Sequence, residues 1–394
     1  MRLLFRLSTL LLAVNGSLVW ADSALTPVTS SPMDAARPSY NPSTFNPAMG
    51  LVLDAAASNT TVNRGSLDFR SAEMNFMASV DPFANIYAVI NGTKDEVSVE
   101  EAAFMTTSLP YNLTLRGGRF FANFGRLPHW HDHELPFVNR PTSLDTFMGG
   151  EARGDGLELM HLFRTPFFLQ GTLGAYNELG ADNHRLEETA VPGSPGQTQG
   201  RPWGSFTYLG RLFSYISMGD DYGLDLGLSE ALTPKQAYIS GIRVDNQHSA
   251  RSLSGLDVTF RYEPLTQNVS RKLIWSTEIF RNNELRNMGT PDAVDPSNNT
   301  YRRQTALGGF SYVDWRFARR WSGGGFGDLA EDLDTPAKVT RTYGLTLNFI
   351  PSEFQRIRLQ LSQVKANDGT RADDQIFLQW FGTIGTHVHV FKDR

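Results

Sequence analysis

From Ala48 onward, apolar and polar residues alternate one by one. Between positions 343 and 349, Tyr343, Leu345, Leu347 and Phe349 are apolar, whereas Gly344, Thr346 and Asn348 are small or polar. Ile357, Leu359 and Leu361 alternate with Arg356, Arg358, Gln360 and Ser362, and the stretches 222–229 and 256–262 follow the same rule. Successive side chains of a strand point to opposite faces, so each segment has one oily and one wet side. Segments of about ten residues are separated in turn by tight turns and by longer polar connections. Tight turns fall at Asp81-Pro82, 109–112, Thr165-Pro166, 218–221 and 351–353, and longer connections near 125–154, 177–203, 231–253 and 283–302. A soluble sandwich would also alternate. Its polar faces would not mix Arg, Asp and Glu with large aromatics, and its connections would not run short and long by turns. The pattern predicts an all-β fold, a transmembrane antiparallel β-barrel of about sixteen strands, or eighteen if 237–244 contributes.

Composition supports this reading. Mean hydropathy is −0.30, too polar for a bundle of membrane helices, and no apolar run of spanning length follows the first twenty residues. Arg2 and Arg6, the apolar stretch from Leu7 to Val19 and the small residues Val19 and Ala21 predict a signal peptide over 1–21. Residues 22–47 are rich in Pro, Ser, Thr and Asn and read as a disordered periplasmic leader, leaving 48–394 for the barrel. With no cysteine, the fold has neither disulfides nor thiolate metal sites. A net charge of −5 gives no sign of nucleic-acid binding. Arginine outnumbers lysine about five to one, which favours oriented guanidinium groups.

The longest uninterrupted polar connection that brings both signs of charge is 125–154. It carries His129, His131 and His133, with Asp132 and Glu134 among them and Arg126, Arg140 and Arg153 around them. Neutral imidazoles suit zinc, copper or nickel, and the two carboxylates can complete a shell. In an extended segment the three imidazoles share one side but span about 13 Å, so one ion requires the chain to bend. The alternative is a polar loop tied to wall arginines. His387 and His389 repeat the alternation near the C-terminus, where Phe391 is followed by Lys392-Asp393-Arg394. Arg116, Arg119, Arg126, Arg261, Arg356 and Arg358 predict a guanidinium ring favouring anions. Arg119 joins it only if Gly117-Gly118 forms a bulge. Otherwise these arginines pair with Glu100, Asp155 or Glu158 and hold the wall. No nucleophile elbow, phosphate-binding glycine loop or zinc-protease motif is present, so no enzyme is expected.

The ordered motifs VDPF (80–83), VEEA (99–102), NLTLRGGRFFANFG (112–125), HWHDHELPFVNRP (129–141), GDGLEL (154–159) and IPSEFQRIRLQLSQ (350–363) resemble porin-like outer-membrane proteins of Gram-negative bacteria. These are similar to the phosphate-selective porins, and some relatives carry names implying zinc-regulated receptors. The resemblance covers nearly the whole chain after residue 47. It implies an outer-membrane channel. On the strand count 125–154 follows the fifth strand and is the third long-side loop; in general porins that loop folds inward, and the resemblance suggests the same here. A sixteen-strand lumen is wide enough for water, so selectivity needs such a constriction. The expected function is passive diffusion of small hydrophilic solutes, with pore-lining Arg116, Arg119, Arg126, Arg140, Arg153, Arg261, Arg356, Arg358 and Glu100. Partners would be lipid and lipopolysaccharide, the solute and further copies of the chain. The rival readings are zinc capture by the histidine loop and, from another class, a barrel-embedded hydrolase. No cofactor is expected beyond zinc in the first rival.

Overall fold

The computed structural model describes residues 47–180, 203–236, 238–239, 242–243, 249–267, 270–289, 292 and 298–385. The predicted signal peptide, nearly all of the leader, His387, His389 and the C-terminal residues lie outside the described residues. Nine strands come first: β1 (Ala48–Thr60), β2 (Arg64–Asp81), β3 (Ala84–Gly92), β4 (Val97–Thr106), β5 (Leu113–Phe121), β6 (Arg153–Leu162), β7 (Phe168–Leu179), β8 (Thr207–Ser217) and β9 (Tyr222–Thr233). Two short strands, β10 (Tyr238–Ile239) and β11 (Ile242–Arg243), pair as a separate ribbon. The remainder are β12 (Arg251–Tyr262), β13 (Lys272–Asn287), β14 (Tyr301–Ala318), β15 (Trp321–Glu331), β16 (Val339–Ser352), β17 (Gln355–Ala366) and β18 (Asp373–Gly385).

Among the described residues every strand except β10 and β11 joins one closed antiparallel barrel, so the count is sixteen and that short ribbon adds none to it. Closure is made by β1 against β18, running from Gly50 opposite Gly385 to Thr60 opposite Gln375. A closed cylinder has no unpaired edge, and lipid tolerates a sheet only in that form. The predicted alternation sorts the faces. Leu173, Leu228, Ile279, Leu345, Leu359 and Leu378 are exposed on the outside, whereas Thr172, Ser229, Glu278, Asn348, Arg358 and Gln360 are buried within. Among the described residues no helix is long and apolar enough to cross a membrane; the strands cross it, and their oily outer band faces acyl chains. Short turns at 82–83, 163–167, 319–320 and 353–354 line one rim. The connections 122–152, 180–206, 234–250 and 288–300 leave the other, as expected.

Two irregularities matter for the interior. The β1–β2 register shifts after Asp54, leaving Arg70 as an extra residue. The β3–β4 register shifts between Val89 and Ile90, leaving Glu100 extra, so the adjacent Glu100 and Glu101 are both buried. A bulge is one of the few ways a strand turns consecutive side chains inward. The lumen also departs from the expectation of a wet inner wall. Phe120, Phe124, Leu127, Trp130, Leu135, Phe137, Leu144 and Phe147 pack with wall residues Phe280 and Phe310 into one buried cluster. A loop that carries its own large apolar side chains into a barrel must shield them there. Each fully buried one favours the folded-in state by about 1.5–3 kcal/mol.

Candidate functional site

The site is built by the connection 122–152, between β5 and β6 and third on its rim. Its base is pinned by Ala122 N–H donating to Ala152 O (2.6 Å) and Ala152 N–H to Pro128 O (2.8 Å). The chain turns inward at Gly125, whose φ of +60° favours glycine. A Cβ there would also lie 2.6 Å from Glu278 Oε2. That carboxylate, on β13, accepts the N–H groups of Arg126 (2.9 Å) and Leu127 (2.7 Å). Arg126 reaches Asp225 of β9 at 3.1 Å and lies over the Trp130 ring. Farther along, Arg358 of β17 donates to Leu135 O (2.7 Å), and Gln360 Oε1 accepts from Val138 N (2.7 Å). Arg70 of β2 donates to Val138 O (2.9 Å). A short helix, α1 (Thr142–Met148), follows. Its N-terminus is capped from the wall by Asp328 of β15, which accepts from Thr142 N (2.9 Å), Ser143 N (3.2 Å) and Ser143 Oγ (2.6 Å). Gly149, at φ +67°, ends the helix. The anchoring strands β2, β9, β13, β15 and β17 lie all round the cylinder, so the loop crosses the lumen from wall to wall.

The histidine run is not extended. Turns of 3₁₀ type over 127–129 and 132–134 bend it, and the five predicted ligands separate. His131 and His133 are buried and stacked, with ring centroids 5.5 Å apart. Asp132 turns to Arg140 (2.6 Å) and Arg70 (3.8 Å). Glu134 accepts from the backbone N–H of His131 (3.2 Å). Among the described residues, His129 belongs to no convergent group of metal-ligating side chains. What gathers instead is His131 with wall carboxylates. Its Nε2–H donates to Glu101 Oε1 (3.1 Å), while Nδ1 lies 3.2 Å from Glu100 Oε2 and 3.5 Å from Glu73 Oε2. His133 Nδ1–H donates to Glu73 Oε1 (2.9 Å). Burial opposes charge on His131, but the Glu100 and Glu73 carboxylates outweigh it and hold the imidazole well above its ordinary range. Glu73 and Glu101 were not singled out from the sequence. Glu73 sits on the polar parity of β2, which was a usable signal; Glu101 shares its inward parity with Ala103 and Met105, and the bulge brings Glu100 in beside it.

The predicted arginines divide by the partners they meet. Arg116 points inward and pairs with Glu158 across β5 and β6, a wall-holding role. Arg119 requires a correction. The β5 register is continuous through Gly117-Gly118, so Arg119 keeps the outward parity of the exposed Leu157 and Leu159. There it forms a two-point pair with Asp155 at 2.6 and 3.0 Å. It does not line the lumen. Arg261 joins Arg126 on Asp225 (2.6 Å), and Arg356 donates to His133 O, so Arg126 ties the loop to the wall, and Arg356 and Arg358 bind the loop from the wall, rather than facing open solvent. Arg153, at the end of the loop, lies within electrostatic reach of Glu100 and Glu151. Arg140 binds Asp132, Glu151 (2.9 Å) and the carbonyls of Trp130 and Gly150.

Beside the second half of the loop lies a cavity of about 610 Å³. Its charged lining is Arg70 and Arg140 against Asp132, Asp145, Glu151 and Asp328, two bases facing four acids. The expected arginine ring is therefore not what meets this space.

No known protein-family pattern matches the chain. An uncharacterised protein of Aquifex aeolicus (strain VF5) is 28 % identical over 339 residues, covering 80 % of this chain and 68 % of the relative. Among solved structures, OmpF of Salmonella typhi in complex with daunomycin covers 86 % of this chain and 97 % of its own, at a TM-score of 0.54 and 11 % identity. An anion-selective porin from Comamonas acidovorans covers 86 % and 99 %, at 0.53 and 8 %. The fold is that of the outer-membrane porins. Such identities speak for architecture alone. Together with the apolar outer band, that architecture makes the chain a β-barrel of the bacterial outer membrane.

Proposed function

We propose that this porin-like barrel is a passive channel for small hydrophilic solutes, in which the loop 122–152 sets both size and charge. The observation that supports this most is the wall-to-wall path of the loop, which leaves the polar cavity at its second half beside a dry cluster. Solutes pass on the side of Asp132, Asp145, Glu151 and Asp328, and the excess of carboxylates gives cations the advantage. Transport involves no chemical step, and the likeness to porins accords with a non-enzymatic role. A zinc-uptake role for the histidine loop is the weaker reading, because His131 and His133 are buried and held by carboxylates, which suits a resident ion better than one in transit. The oily belt takes lipid and lipopolysaccharide. The Arg119–Asp155 pair on the outer face suits a headgroup layer or a second barrel better than acyl chains.

Purified protein in a planar bilayer should show small, steady, cation-preferring conductance, read from the reversal potential in a salt gradient. If neither the native chain nor a variant with the α1 tether cut (Asp328→Ala) conducts, the channel reading fails.

A further inference from the structure

We infer that Glu73, Glu100 and His131 form a resident binding site for one first-row divalent cation of the zinc type, pinning the loop to β2 and β4. The three ligand atoms converge within 4.8 Å of one another. His131 Nδ1 is 3.2 Å from Glu100 Oε2 and 3.5 Å from Glu73 Oε2. Tetrahedral zinc with bonds of about 2.1 Å places its ligand atoms roughly 3.4 Å apart, and these two separations straddle that value. Both carboxylate oxygens are buried and accept no hydrogen bond of sound geometry. Glu73 is 2 % and Glu100 5 % exposed. Buried carboxylate oxygens without a donor are costly unless a cation completes them.

The outer contacts point the same way. A metal-bound histidine usually donates its other ring N–H to a carboxylate, which fixes the tautomer and aims the free nitrogen at the ion. His131 does this: Nε2–H donates to Glu101 Oε1 at 3.1 Å, turning Nδ1 toward Glu73 and Glu100. Glu73 is steadied in turn, its Oε1 accepting from His133 Nδ1–H at 2.9 Å. The electrostatic balance agrees. Glu73, Glu100 and Glu101 are all buried within this one cluster, and a divalent cation offsets more of their charge than a single imidazolium proton does. One imidazole and two monodentate carboxylates suit zinc, with manganese as the natural competitor. Water takes the remaining position. The site differs from the alternating His129, His131 and His133 set, because two of its three ligands come from the wall.

The direct test measures metal on the full chain. Protein refolded from urea with Zn²⁺ or Mn²⁺, then dialysed, is analysed for metal per chain by mass spectrometry. About one Zn²⁺ is expected, falling more than tenfold in Glu73→Gln and Glu100→Gln. Glu101→Gln should weaken affinity about 10–100-fold without removing the site. Heat-modifiable gel mobility checks that each variant has folded. A measurement free of mutation accompanies it: Co²⁺ bound to the native chain should give visible absorbance that Zn²⁺ abolishes. Native protein that retains neither metal above the level of the Glu73→Gln and Glu100→Gln variants, with no Co²⁺ spectrum, shows that a proton alone fills the cluster, and the inference falls. The effect of the ion on the loop rests on the channel reading, and conductance of the same samples separates the two. Metal without conductance overturns the channel alone, and conductance without metal overturns the site alone.

Discussion

The two halves of the crossing loop are held differently. The first, 122–135, is an anchor. Its N–H groups go to Glu278, its guanidinium to Asp225, its imidazoles to Glu73, Glu100 and Glu101, and its aromatic rings to the dry cluster. The second, 136–152, adds Phe137, Leu144 and Phe147 to that same cluster but also borders the cavity, and in the proposed channel it walls the aperture. Arg70, Gln360 and Asp328 hold its backbone at a few points, and its charged side chains border the cavity. The difference shows how one connection serves opposite needs. Apolar burial and buried ion pairs fix its position, so the polar face opposite can stay solvated. Perturbing the first half should cost stability before selectivity, and perturbing the second should do the reverse.

The largest effect is expected at Trp130, which is 2 % exposed, lies under Arg126 and is central to the anchor. Trp130→Ala should destabilise the folded barrel by about 3–5 kcal/mol, read as a lower urea midpoint for loss of the heat-modifiable form. Conductance of the surviving folded fraction should become noisy rather than change sign of selectivity. A midpoint equal to that of the native chain would show that the dry cluster does not hold the loop. Next comes Asp328, which caps α1 from the opposite wall. Asp328→Ala removes three accepted hydrogen bonds and should cost about 1–2 kcal/mol, the usual worth of a helix cap. Single-channel conductance should rise and cation preference fall, because one of the four cavity acids is gone. A large stability loss with unchanged conductance would place Asp328 in the anchor and erase the distinction.

How much of this was legible in the chain depends on which interactions write themselves into local pattern. The barrel was, because the period of two in segments such as 343–349 and 356–362 follows from strand geometry. The third-loop position of 122–152 followed from counting strands. The partners of the loop were not legible. Glu278, Asp328 and Glu73 lie 60 or more residues from the groups they bind, and parity says only that they face inward. The bulges at Arg70 and Glu100 broke even that rule, turning Glu100 and Glu101 inward together. Arg119 failed in the opposite sense: a bulge was required at Gly117-Gly118, and the register runs through unbroken. The alternation of His129, His131 and His133 misled because a strand period was applied where two 3₁₀ turns intervene.

The smallest expected effect sharpens the aperture half. Glu151 lies on the cavity with its carboxyl pushed up to about 7, first by burial and then by Glu100 and Asp132, with Arg140 opposing. The sign follows directly. A carboxyl with a raised pKa is neutral below that value and charged above it, so the cavity gains a negative charge as pH rises through 7. Cation preference, read as reversal potential in metal-free protein, should therefore increase modestly between pH 6 and pH 8. The fold should lose stability over the range from the ordinary carboxyl value up to 7, because the folded state binds the proton more tightly than the unfolded chain. Glu151→Gln should roughly halve the response, the remainder belonging to Asp145, whose carboxyl on the same cavity is also pushed up to about 7, chiefly by burial. A pH response unchanged in that variant would assign it to another acid of the cavity, and a response of opposite sign would mean that the permeating ion does not pass Glu151.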